Sequence, residues 1–109
     1  MAYNEELAKR MRTHLVRVRG LQEKSMFGGI GFLVNGNMAC GVHGQDLIVR
    51  VDPAFNEAAL KMKHVKAFDM TGRPMKGWIV VQKPGYASED SLRHWIQESV
   101  KFAKSLPPK

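Results

Sequence analysis

KSMFGGIGFLVNGNMACGV, running from Lys24 to Val42, has at its centre the pair Asn35 and Gly36, with IGFLV before it and NMACGV after it. Both central residues of a type I′ turn need positive φ, so this pair between apolar runs predicts a two-residue β-hairpin. In that register Leu33 faces Met38, Gly31 faces Cys40, and Phe32 faces Ala39 on the opposite side of the sheet, so both faces are largely apolar. Gly28 and Gly29 read as turn residues ahead of the hairpin. The glycines of FGGIGF lack the Gly-Lys-Ser/Thr ending and the following helix of a phosphate-binding loop, so they read as structural.

Working outward, a second turn at His43 to Gln45 leads into DLIVRV, where Leu47, Val49 and Val51 alternate with Asp46, Ile48 and Arg50. One side should be core and the other mostly wet. A short strand is expected before the hairpin, about Leu21 to Phe27. Two more follow at about Lys66 to Met70 and Gly77 to Gln82, joined by a turn containing Gly72, Arg73 and Pro74. Three helices frame the strands. The first, about Glu5 to Val18, starts at the N-cap Asn4, aligns Leu7, Met11, Leu15 and Val18 on one stripe, and is ended by Gly20. The second starts after the N-cap Asp52, with Pro53 in its first turn, and runs to about Met62, with Phe55, Ala59 and Met62 inward. The third starts near Ser88 and turns Leu92, Trp95, Ile96, Ser99, Phe102, Ala103 and Leu106 to one face. The order helix, four strands, helix, two strands, helix predicts an α+β fold, a two-layer sandwich of an antiparallel sheet with helices mainly on one face.

KSMFGG, GFLVNGNMACGV, LIVRV and FDMTGRPMKGW (Phe68 to Trp78) together resemble the TfoX N-terminal domain family, the amino-terminal module of the TfoX/Sxy regulators of bacterial competence. The resemblance covers essentially the whole chain. It implies a fold like that of secretion chaperones and a regulatory role, and it implies no enzymatic reaction. Full-length competence regulators carry a second, helical C-terminal domain. Residues 1–109 are expected to form a single domain of the stand-alone form, without that second domain.

With 109 residues the chain is long enough to fold as one domain without disulfides or metal. Its single Cys40 rules out an intramolecular disulfide framework. No segment approaches the roughly 20 apolar residues of a membrane span, and MAYNEELAKR has no apolar signal-peptide core, so a cytoplasmic protein is expected. Cys40 and His43 lack the positioned base of a nucleophile and the spacing of a zinc site. No catalytic group, cofactor or metal site is therefore expected.

The formal charge is +7. Lys9, Arg10, Arg12, Arg17 and Arg19 lie on and just after the first helix, where they either track phosphates or solvate its outer face. At the second candidate site, Arg73 and Lys76 place two cations beside Trp78 at a rigid turn, a pattern that either suits a phosphate, a carboxylate or an acidic partner surface or is purely structural, the cations pairing with Asp69 or staying hydrated and Trp78 lying in the core. Two function classes follow. The first is a regulatory or protein-interaction module, expected to form a homodimer and to have a protein partner still to be identified. The second is a weak, sequence-independent nucleic-acid binder that uses the basic helix.

Overall fold

The computed structural model describes residues 3–26, 29–68 and 77–108. Four helices and six strands follow in the order α1 (Glu5–Leu15), β1 (Leu21–Met26), β2 (Gly29–Val34), β3 (Asn37–His43), β4 (Asp46–Arg50), α2 (Asn56–Leu60), β5 (Val65–Ala67), β6 (Trp78–Val81), α3 (Lys83–Tyr86) and α4 (Glu89–Ser105). A 3-10 turn, Pro53–Phe55, precedes α2. The strands form one open antiparallel sheet in the order β1-β2-β3-β4-β6-β5. All four helices contribute to a single core against one face of it: Leu7, Met11 and Leu15 from α1, Ala59 from α2, Tyr86 from α3, and Leu92, Trp95 and Ile96 from α4. The expected α+β two-layer architecture is the one observed.

Asn35 and Gly36 form the β2–β3 turn with φ of 53° and 85°, as an Asn-Gly type I′ turn requires. The register beyond it differs from expectation. Leu33 faces Met38, but Phe32 faces Cys40 and Gly31 faces Gly41, because Ala39 is an extra residue on β3. A one-residue shift turns every following side chain to the other face. Here it moves Cys40 and Val42 under the helices, where they join Ile30, Phe32 and Val34. Gly29 is not a turn residue but opens β2, and a Cβ there would meet the Val42 carbonyl oxygen at 2.0 Å. Gly28, Gly72 and Pro74, the other expected turn residues, lie outside the described residues.

The capping expectation holds at α1, where Asn4 Oδ1 accepts from the Leu7 amide; Asp52 Oδ1 accepts from Ala54 and so caps the 3-10 turn rather than α2, and Ser88 Oγ accepts from Ser91 at the start of α4. Three details change. Helix α1 ends at Leu15 rather than Val18, and Gly20 (φ 75°) shapes the approach to β1, its carbonyl accepting from the Asn35 amide. The second helix is too short to turn Phe55 and Met62 inward, and both are exposed. A short α3, KPGY, precedes α4 because the buried Tyr86 anchors it, donating its hydroxyl hydrogen to the Gln45 carbonyl.

The other face of the sheet, exposed at Lys24 and Lys66, is covered where β4 meets β6. Ile48 is only 4% exposed and packs with Phe68 and Val80, flanked by the half-buried Met38 and Trp78. This second, smaller cluster lies where β4 meets β6, the place at which the candidate site is built.

Candidate functional site

Strand pairing sets Arg50, the last residue of β4, directly opposite Trp78, the first residue of β6. The Arg50 Cζ lies 5.0 Å from the centre of the Trp78 ring and 5.5 Å from that of Phe102 on α4. Both distances fall within cation–π range. Trp78 is itself held by Phe68, ring centre to ring centre 6.2 Å, and by the Ile48 and Val80 cluster. Gly77, at φ 89°, turns the chain into β6 while its amide donates to the buried Asn56 Oδ1 and its carbonyl accepts from Val51. The Trp78 end of the sheet is thus fixed from both sides.

Arg50 donates from Nη1 to the Met38 carbonyl over 3.4 Å, and among the described residues no carboxylate pairs with it. Partial burial lowers its pKa from the ordinary arginine value. Beside it lies a cavity of about 220 Å³. Val51, Phe55 and Phe102 supply its apolar wall, and Asp52, Glu98, Lys101 and Ser105 its polar one. Phe102, expected in the core, instead separates the guanidinium from this cavity and is only half-buried. Such a corner can present a fixed cation next to a cavity with one apolar and one polar wall.

Of the residues singled out from sequence at this corner, Trp78 is half-buried in it, while Arg73 and Lys76 lie outside the described residues. Arg50 and Phe102 were not singled out. Alternation along β4 shows which face Arg50 takes but cannot show that β6, rather than β5, is the neighbouring strand.

The basic helix divides into two groups. Arg10 donates from Nε to Glu89 Oε1 at 2.6 Å and from Nη2 to the Tyr86 and Ala87 carbonyls, tying α1 to the α3–α4 junction. His14 reaches the other Glu89 oxygen at 2.8 Å. Hydrogen bonds from His14 and then Arg10 hold the Glu89 carboxyl below its ordinary pKa. Arg12 pairs with Glu23 on β1, a hydrogen bond that raises the guanidinium pKa. Lys9, Arg17 and Arg19 remain exposed. Arg10, expected either to track phosphates or to solvate the outer face of the helix, instead holds this junction together.

Cys40 is fully buried, and that burial pushes its thiol up to about 12 against a smaller opposing contribution from Ser99. A thiol in this state is a poor nucleophile near neutral pH. His43, three residues along the same strand, points to the opposite face. Among the described residues no group of three or more His, Cys, Asp or Glu could hold a metal ion. Among them too, no helix is long and apolar enough to cross a membrane.

The sheet order, the hairpin and the FDMTGRPMKGW block flanking β6 meet an independent comparison here: the model of the TfoX N-terminal domain family matches residues 13–103. The chain belongs to this family. The match begins within α1 and ends within α4, so the TfoX N-terminal domain takes in the whole sheet and the Arg50–Trp78 corner. No curated protein and no solved structure gives a significant match.

Proposed function

We propose that this TfoX N-terminal domain is a non-enzymatic regulatory and protein-interaction module, resembling in role the amino-terminal part of competence regulators. The observation that supports it is the corner where Arg50 lies against the Trp78 and Phe102 rings near an open cavity, with Trp78 following the RPMK segment of Arg73 and Lys76 in the sequence. Rigid aromatic and arginine side chains with donors left over are the usual anchors of protein recognition. Self-association belongs to the same reading, since the open sheet leaves β1 and β5 as edges and twofold dimers are the commonest assembly. A cytoplasmic location is also part of it.

Affinity capture with the tagged full chain tests the reading, followed by identification of bound protein and nucleic acid. A specific protein should be retained by the wild type and by an R12E/R17E/R19E variant, and lost from an R73A/K76A variant. Sedimentation at micromolar concentration should show a dimer.

The second reading, weak sequence-independent nucleic-acid binding, has the exposed Lys9, Arg17 and Arg19 in its favour. It expects duplex DNA to bind with a dissociation constant of about 10⁻⁴ to 10⁻⁶ M that weakens steeply with salt, and to be lost in the R12E/R17E/R19E variant. The pairing of Arg10 and Arg12 with carboxylates leaves that surface fewer free cations.

A further inference from the structure

We propose that Arg50 and the cavity beside it form a recognition site for a short protein segment that carries a carboxylate side chain next to a large apolar one. The inference rests on the interaction-module reading and names the chemistry of the partner. A guanidinium has five N–H donors arranged as a planar fork. In Arg50 one of them reaches the Met38 carbonyl, and two aromatic rings lie within 5.5 Å of its centre. The donors left without an acceptor among the described residues match a carboxylate, which two parallel N–H···O bonds can bind. Flanking rings hold the fork in place, so little side-chain freedom is lost when the anion arrives.

The cavity supplies the second half of the motif. Val51 follows Arg50 in sequence and lines it, and Phe102 touches both, so the two subsites are adjoining. Phe55 is 38% exposed on the cavity wall, so part of its ring is open to an incoming apolar side chain. Asp52 and Glu98 outnumber Lys101 among the charged residues of the lining, so a second anion is disfavoured there. This polarity selects an isolated acid beside an apolar residue over a run of acids. It also argues against a nucleic-acid strand, whose next phosphate would be brought toward those carboxylates.

Selection of a random peptide library displayed on phage against the immobilised full chain tests the site. Enriched sequences should pair Asp or Glu with a nearby Leu, Ile or Phe. A synthetic version of the best sequence should bind about tenfold more weakly to R50Q, to R50K, and to F55S, because each removes a charge-assisted fork or the apolar wall. Duplex DNA should not displace it. R50K keeps the stem and the positive charge, so it decides the matter even if R50Q fails to fold.

Failure to enrich any sequence, enrichment of sequences without an acid, equal binding to R50K and wild type, or displacement by DNA would overturn the proposal. A peptide that binds the R50K variant unchanged while the cellular partner is still captured leaves the module reading standing and removes only this site. A wild-type chain that captures nucleic acid and no protein from cells removes the module reading itself.

Discussion

Arg10 and Arg50 are both half-buried arginines, each placed where a helix meets another element, and they differ in what their donors reach. Arg10 meets a carboxylate and two backbone carbonyls, so the α1 to α3–α4 junction is closed by charge-assisted hydrogen bonds. Arg50 meets two ring faces and one carbonyl, so its charge is held in position without being neutralised among the described residues. One arginine joins elements of the fold; the other, among the described residues, has donors without an acceptor. Net positive charge alone does not distinguish these roles; the partner of each donor does.

The largest test of this contrast is stability. R10A should destabilise the domain by about 1–3 kcal/mol, in line with losing hydrogen bonds to a charged group, whereas R50M, whose stem still covers Trp78, should cost less than about 1 kcal/mol. Urea unfolding at neutral pH measures both, and equal losses would erase the distinction. The buried Cys40 thiol offers a second readout, since it should react with a thiol reagent only when the core opens. For a loss of about 2 kcal/mol in R10A the labelling rate should rise about thirtyfold, with a small change in R50M.

Acid sharpens the contrast further. Because the folded Glu89 pKa is lowered, its contribution is present above the unfolded carboxylate range and is lost as pH falls through the folded value. Between neutral pH and the acid range, wild type and R50M should therefore lose this contribution in parallel, while E89Q starts lower and shows a flatter profile. The smallest effect belongs to R17E/R19E, whose side chains are exposed and which should change stability by no more than about 0.5 kcal/mol in thermal unfolding. A large loss there would mean that the exposed end of the basic segment also has a structural role.

Much of the fold was legible where a feature is made by neighbouring residues. Asn35 and Gly36 specify their turn by their own φ preferences, Asn4 and Ser88 cap the helices they precede, and Leu7, Met11 and Leu15 fall on one side at helical spacing. What escaped depends on partners distant in sequence. The extra Ala39 matters because Cys40 and Val42 must lie under the helices, and KPGY becomes helical because Tyr86 reaches Gln45. Of the candidate interaction residues, Trp78 was legible as a strand-entry aromatic. Arg50 looked like an ordinary solvated position, since its significance comes from a pairing across β4 and β6 and from a ring on α4. The basic residues of α1 were legible as a cluster, but not the division between clamped Arg10 and Arg12 and the exposed Lys9, Arg17 and Arg19.

The placement of β6 between β4 and β5 also sets an order in time. Strands β2, β3 and β4 follow one another through tight turns, so their ladders can close early, with little chain to bring together. The β4–β6 ladder must wait until the whole Val51–Gly77 stretch has been drawn in, a costlier closure. Arg50 and Trp78 therefore meet late during folding, and the amides of β6 should acquire hydrogen-exchange protection after those of β2 and β3 in a pulse-labelling experiment. A nascent chain should hold its hairpin well before the Arg50–Trp78 corner is assembled.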